Sequence, residues 1–451
     1  MTPAERLLRA FARLVLKIFF RRVEVVGEER LPLDRPMVLV ANHVNGLVDA
    51  ALLVGTLPVW PRMLAKSTLW KNPIIRPFVE AARAIPVYRQ QDKVDTAGNE
   101  QMFEASHEVL ISGGAMALFP EGKSHNEPML QPLKTGLARI VLGAERKSPG
   151  LGVRIVPVGL TFDEKESFRS RALVQVGEPI DPAPEAEMGG TDNPAAVRSL
   201  TARVDKGLKE VTLNYPSWEA AWLIGRAAEL YGRAELDVPG GRKLADHFQV
   251  HRAFVEGYQD LCSRYPDRVQ AVEGAVREYD HLLKAFGLRD DQVAAAYPPN
   301  PVIRFVVTTV LRLLVHLPLA AVGTILNIVP FWLVRLVGWV VRRSPDQVAT
   351  YKVFGGLILY PLAWLVEAIL AARWGDNAWL GALIFLAGPL TGYAAMLFRE
   401  QSGLFWNEAR AYLFLRTRRR LATELKARRD QVFREVEELS ALYLRESASE
   451  I

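Results

Sequence analysis

The stretch MVLVANHVNGLVDAALL, residues 37–53, decides how this chain is read. An apolar run stops abruptly on Asn42-His43, crosses Asn45-Gly46, supplies one carboxylate at Asp49 and turns apolar again. The run predicts a buried strand, Asn-Gly a turn, and the pattern after it a helix. A strand ending at Asn42 puts His43 at the carboxyl edge of a sheet, where open α/β folds bind their ligands. Residues six apart on one uninterrupted helix point about 120° away from each other, so the turn is what lets His43 and Asp49 meet. An imidazole held by a carboxylate on one ring nitrogen can take a proton from an alcohol on the other, the base-and-orienter pairing of acyl transfer. Taken alone, the pair is weak evidence, and a histidine that only caps a loop is the usual reading.

Working outward, RAIPVY, AMALFPEG, VRIVPVGLTF and ALVQVGEPI read as further buried strands, with DAALLVGTL and KTGLARIVLGAERK as amphipathic helices between them. This is an α/β pattern with helices on the faces of a sheet. Two more strand ends carry chemistry. IPVYR ends on Arg89, a permanently charged fork suited to phosphate, and LFPEGKSH delivers Glu121, Gly122, Lys123 and Ser124 in one turn, with Lys134 following. Singly, each of these could be a loop salt bridge.

The 451 residues suggest two or three units. Half are hydrophobic although 24% are charged, so apolar and charged residues are expected in separate blocks. A formal charge of +6 favours acidic partners. One cysteine, Cys262, rules out an intramolecular disulfide and a cysteine metal cluster. The first residues, AERLLRAFARLVLKIFFRR, read as an amphipathic helix with a basic row at Arg6, Arg9, Arg13 and Lys17 and not as a secretory signal. Such a helix lies on an anionic membrane or packs on its own domain with a solvated basic face.

After PPNP, residues 298–301, the composition shifts. Residues 303–341, 354–372 and 378–398 are apolar runs of membrane-crossing length. The first is long enough for a hairpin turning near LNIVPF, which gives four crossings, or two and a re-entrant hairpin. Glu367 is expected inside the bundle or near a wet surface. Arg342, Arg343, Lys352 and the arginines from 399 onward place the N-terminal domain and the tail on the cytoplasmic face.

The blocks NHVNGLVD, IPVYR, FPEGKSH and IVPVGL, in this order, resemble the glycerolipid acyltransferases that acylate glycerol 3-phosphate or 1-acylglycerol 3-phosphate. Five residues separate His43 from Asp49 where most members have four. That spacing, with PEGKSHNEPMLQPLKTGLA and VTLNYPSWEAAWLIGRAAELY, is similar to the branch of fungal glycerol-3-phosphate/dihydroxyacetone-phosphate acyltransferases, in which membrane segments follow the catalytic domain. Lys123-Ser124 stands where the commoner pattern has Thr-Arg, so Lys123 is expected to replace a missing arginine's charge.

The resemblance implies that His43 deprotonates the acceptor hydroxyl and that Asp49 orients it. It assigns Asn42, Arg89, Glu121, Gly122, Lys123 and Ser124 to substrate binding, with a backbone N–H near Gly122 on the developing oxyanion. It requires no metal and no bound cofactor, since the acyl-CoA or acyl carrier protein donor is a co-substrate. The partners it implies are that donor, a glycerol phosphate or lysophospholipid acceptor and the bilayer, not nucleic acid. The expected fold is an α/β acyltransferase domain with a mixed sheet flanked by helices, a helical insertion and a C-terminal transmembrane region. Its divisions are a membrane-associated helix over 1–22, the acyltransferase domain over 23–184, a helical domain over 185–300, two to four spans over 301–400 and a charged helical cytoplasmic tail over 401–451. A lysophospholipid acyltransferase with another headgroup, a transporter or scaffold retaining the domain, and a hydrolase are the competing readings. The last lacks a GxSxG nucleophile.

Overall fold

The computed structural model describes residues 1–89, 98–235, 243–295, 299–341 and 348–449. These fall into two compact units. The first comprises Met1–Trp218 with Arg242–Gln249 and Val341–Thr350, and the second comprises Glu219–Gly241, Val250–Val340 and Tyr351–Ile451.

In the first unit, β1 (Arg22–Val26), β2 (Met37–Ala41), β3 (Arg62–Lys66), β4 (Ile85–Val87), β5 (Ala115–Leu118), β6 (Arg154–Phe162) and β7 (Arg171–Val176) form one sheet. Their order is β1-β7-β6-β2-β5-β3-β4. Every neighbouring pair is parallel except β6 and β7, so the sheet is mixed, as expected. β2 lies between β5 and β6 with all five of its residues buried. A parallel strand covered on both faces reads as a continuous apolar run, which is why MVLVA is the clearest strand in the chain. β1 and β3 escaped sequence reading because RVEVV and RMLAK are short, charged at one end or both, and only partly buried.

The sheet is flanked by α1 (Pro3–Phe19), α2 (Leu47–Thr56), α3 (Arg76–Ala81), α4 (Asn99–Ile111), α5 (Gly136–Lys147), α6 (Ala183–Glu187) and α7 (Pro194–Val211). Val38, Val40, Met116 and Leu118 of the sheet share one core with Ile140 and Val141 of α5 and Leu200, Val204 and Leu208 of α7. The boundary expected at 184/185 is therefore displaced to about Trp218, because the apolar stripe of α7 completes this core.

The basic row of α1 is also corrected in part. Arg9 Nε donates to the Val54 carbonyl at 3.1 Å, its Nη2 to that of Val59, and Arg13 Nε to that of Gly55 at 2.9 Å. The last carbonyls of a helix lack intrahelical donors and carry partial negative charge, so the end of α2 draws both guanidinium groups inward. Leu7, Leu14 and Ile18 remain exposed along another face of α1.

The remaining helices, which lie wholly or largely in the second unit, are α8 (Trp218–Glu235), α9 (Leu244–Arg264), α10 (Pro266–Phe286), α11 (Asp290–Ala294), α12 (Pro299–Val340), α13 (Val348–Trp374), α14 (Ala378–Thr417) and α15 (Arg419–Ser449). Leu223 of α8, Tyr279 and Leu283 of α10, Ala411 of α14 and Leu425 and Val432 of α15 form a second core. The segment expected as a tail is thus not separate: Ala411, Leu425, Val432 and Val436 are buried in this core, and Arg429 Nε donates to Asp290 Oδ1 at 2.9 Å.

Among the described residues three helices are long and apolar enough to cross a membrane: Val302–Val340, Val348–Trp374 and Ala378–Thr417. No break in helix marks the hairpin expected near LNIVPF, since α12 is helical through both Pro318 and Pro330. Its contacts nevertheless fold it back on itself. The Phe305 ring lies 6.3 Å from that of Phe405 in the C-terminal half of α14. Midway, Asn327 Nδ2 donates to the Gly388 carbonyl at 3.3 Å, and Trp364 Nε1 of α13 donates to Asn327 Oδ1 at 2.9 Å. Near its end, Gly338 packs on the Lys352 side chain at the start of α13. A straight helix would separate residues 305 and 338 by about 50 Å, too far to meet both open ends of one α13–α14 hairpin and its middle. α12 therefore bends, and its two prolines are where a backbone hydrogen bond is missing. Glu367 is half-buried, with one carboxylate oxygen shielded.

Between α4 and α5, His107 is buried with neither ring nitrogen hydrogen-bonded, and α5 approaches it at Gly143, where a Cβ would lie 2.5 Å from Nε2. Burial, then Lys147, lowers the His107 pKa from its ordinary value. The unfolded chain therefore takes up a proton first as pH falls, so the first unit should lose stability below about pH 6.5. Thermal unfolding between pH 7.5 and 5.5 checks this: His107→Leu should flatten the acid-side decline in Tm relative to the parent, whatever its own stability.

Candidate active site

β2, β5 and β4 run parallel and release the chain at the same sheet edge. β2 ends into Asn42-His43, β5 into Phe119, and β4 into Tyr88-Arg89. The chain then turns at Gly46, whose φ of 55° and ψ of −130° suit glycine, and enters α2 with Asp49 in its first turn.

His43 Nδ1 lies 2.9 Å from Asp49 Oδ2. The same oxygen accepts the backbone N–H of Val44 at 2.9 Å and that of Asn45 at 2.7 Å. The Asp49 side chain is fully buried, whereas the imidazole keeps 19% of its surface exposed. A carboxylate only accepts, so Nδ1 carries the proton and Nε2 is left with its lone pair for an incoming hydroxyl. The ring of Phe119 stacks on the imidazole at 4.0 Å and 9°, which fixes its plane.

Two residues expected to bind substrate are held inside the protein instead. Asn42 Nδ2 donates to the Leu160 carbonyl at 3.0 Å and its Oδ1 accepts the Leu160 N–H at 2.7 Å, a two-way clasp on β6. Glu121, nearly fully buried, accepts the backbone N–H of His43 at 2.8 Å, that of Gln131 at 2.7 Å and the Nε2–H of His125. Both side chains position the histidine loop, because their hydrogen-bonding atoms are taken up by backbone and ring donors.

The other expected binders gather around Gly122. Arg89 Nη1 donates to the Gly122 carbonyl at 2.5 Å, and the Lys134 side chain lies in van der Waals reach of Gly122. Lys134 N also donates to the Pro120 carbonyl at 2.8 Å. Gly122 has φ +76°, the left-handed conformation that the turn requires. Lys123 is exposed and Ser124 half-buried in the same turn. A guanidinium and two ammonium groups thus sit on or beside one turn, which Glu121 ties to the His43 backbone.

His125 and Phe119 were not singled out from sequence. His125 N donates to the His43 carbonyl at 3.1 Å, and its Nδ1 accepts the Glu127 N–H at 3.1 Å, so the ring is neutral with its proton on Nε2 facing Glu121. The only signal for either was its place inside FPEGKSH. On the far side of the loop, Lys165 Nζ donates to the Val44 carbonyl at 3.0 Å and Asn45 Nδ2 to the Lys165 carbonyl at 3.1 Å.

Replacing Glu121 by Gln puts an NH2 group against donors that now meet carboxylate oxygens. Hydrogen bonds to a charged acceptor contribute about 1.5–3 kcal/mol each, so Glu121→Gln should destabilise the first unit by at least about 2 kcal/mol. Denaturation of the purified chain in detergent measures this, and an unchanged midpoint would refute the arrangement.

Residues 22–161 match the family model described as Acyltransferase, and residues 224–443 match that described as Glycerol-3-phosphate acyltransferase 2 C-terminal domain. The chain is 29% identical over 301 residues to glycerol-3-phosphate O-acyltransferase 2 of Saccharomyces cerevisiae, a match covering 63% of this chain and 39% of the yeast protein. It therefore spans well under half of that relative's length. It is 28% identical over 193 residues to 1-acyl-sn-glycerol-3-phosphate acyltransferase of Bacillus subtilis, covering 42% of this chain and 87% of that one. Among solved structures it is similar to the 1-acyl-sn-glycerophosphate acyltransferase PlsC of Thermotoga maritima, at 22% identity and a TM-score of 0.34 over 46% of this chain and 78% of that one. The chain is thus similar to acyltransferases through residues 22–161 and to the C-terminal domain of glycerol-3-phosphate acyltransferase 2 through residues 224–443.

Proposed function

We propose that this protein is a membrane-bound O-acyltransferase that moves a fatty acyl group from a thioester donor to a hydroxyl of a phosphorylated glycerol. The observation that carries the reading is the His43–Asp49 pair at 2.9 Å, with one ring nitrogen occupied and the ring partly exposed. Nε2 takes the proton of the acceptor hydroxyl as its oxygen attacks the thioester carbonyl. The tetrahedral intermediate collapses to the ester and releases the donor thiolate, which takes up the proton from the imidazolium. Asp49 stabilises the imidazolium between the two steps. Arg89, Lys123 and Lys134 supply positive charge for the acceptor phosphate.

Both glycerol 3-phosphate and 1-acylglycerol 3-phosphate are acceptors of this class, and the names of the yeast and Bacillus relatives favour them over other headgroups. The donor is acyl-CoA or acyl carrier protein. In the membrane, α13 and α14 cross as a pair, and α12 enters and leaves on the side of their open ends. That side is the cytoplasmic one, as the arginines from residue 399 onward favour. The exposed stripe of Leu7, Leu14 and Ile18 rests on the same leaflet, flanked by Arg6 and Lys17.

The purified chain in lipid vesicles, given labelled acyl donor and each acceptor in turn, should form the acylated product with at least one glycerol phosphate. His43→Ala should lower kcat by about 10³ with Tm little changed, and Asp49→Asn should lower kcat by about 10². Acyl transfer to none of the acceptors would sink the reading. For the membrane arrangement, a cysteine placed at Asp376 on a Cys262→Ser background should resist a membrane-impermeant maleimide applied from the side that labels one at Gly403. Labelling of both from one side would reject the crossing pair.

A further inference from the structure

The helix that carries Asp49 has no side-chain cap of its own. Its N-cap position is Gly46, and no side chain near it in sequence accepts from the first turn. The Val48 N–H is satisfied locally by the Asn45 carbonyl at 3.1 Å. The Leu47 N–H is not: it donates to Thr350 Oγ1 at 3.1 Å, a residue 303 positions further along the chain. Thr350 is 9% exposed, and Val348 and Ala349 beside it are 2% and 0% exposed. The hydroxyl is therefore held in place in the first unit, to which all these residues belong.

Leu47 lies two residues before Asp49 and one after Gly46, so fixing its amide fixes the point from which the carboxylate reaches back to His43, Val44 and Asn45. We propose that Thr350 is a positioning residue for the catalytic pair: its hydroxyl caps α2 and holds Asp49 against the His43 ring. Thr350 touches neither the ring nor the carboxylate, and it acts on the orientation of the base, not on substrate binding. The first turn of α13 is by this route a working part of the active site. The kinetic arm of the test rests on the acyltransferase reading; the exchange arm does not.

The test uses the full chain in lipid vesicles with two substitutions. Thr350→Val keeps the shape and removes the hydroxyl, whereas Thr350→Ser keeps the hydroxyl. Deuterium exchange of the peptide covering residues 44–53 should quicken about fivefold in Thr350→Val and stay within about twofold of the parent in Thr350→Ser. In the transfer assay Thr350→Val should lower kcat by about fivefold or more, with KM for donor and acceptor changed by less than about twofold, and Thr350→Ser should recover the rate. Unchanged exchange in Thr350→Val, an unchanged kcat, or a Thr350→Ser variant as slow as Thr350→Val would each overturn the proposal. If the parent transfers no acyl group at all, the functional reading fails, and the exchange result alone decides whether Thr350 caps α2.

Discussion

A single oxygen atom, Asp49 Oδ2, receives the ring of His43 and the amides of Val44 and Asn45. Burying a carboxylate is unfavourable unless its charge meets donors, and here the donors are the loop that must be shaped. The arrangement is self-consistent. The loop's amides meet the carboxylate, the carboxylate keeps the loop closed, and the imidazole can then present only one of its two nitrogens. Two glycines make this possible. Gly46 turns the chain so that the helix starts beneath the histidine, and Gly122 turns the neighbouring loop so that its cations and Glu121 face different ways.

The two carboxylates of the site have divided tasks. Asp49 touches the base, whereas Glu121 touches the backbone of the base and the ring of a second histidine. With Asn42 clasping Leu160, the residue that does chemistry is tied to β5 through Glu121 and to β6 through Asn42. A general base has to meet a hydroxyl within a few tenths of an ångström, and side chains bonded to rigid strands hold such tolerances better than a free loop does.

Much of this was legible in the sequence because the signals are local. A doubly covered strand is a plain apolar run, an Asn-Gly pair marks a turn, and a lone Asp inside an apolar helix has to have a partner. The apolar helices near the C-terminus were legible for the same reason. What escaped depends on contacts far apart in the chain. RMLAK is a strand only because β5 and β4 lie on either side of it. Arg9 and Arg13 look like a solvent or lipid face until the end of α2 is set against them. Asn42 and Glu121 have the chemistry of substrate binders, and only the positions of Leu160, Gln131 and His125 show that their polar atoms are already engaged. Prolines at 318 and 330 suggest a chain break in water, but in an apolar setting a helix keeps its remaining hydrogen bonds and bends.

The clasp between Asn42 and Leu160 also sets an order of events during synthesis. β2 cannot pair on both sides, nor can the Asn42 that follows it be clasped, until residue 160 has left the ribosome, more than a hundred residues after the histidine loop itself. Contacts of such long sequence separation close slowly, because the loop entropy must be overcome before any of them is rewarded. Until then the nascent segment around residues 37–53 exposes an unpaired apolar strand. The helices after residue 299 emerge later still, so the order of the chain places the strands of the sheet ahead of the apolar helices.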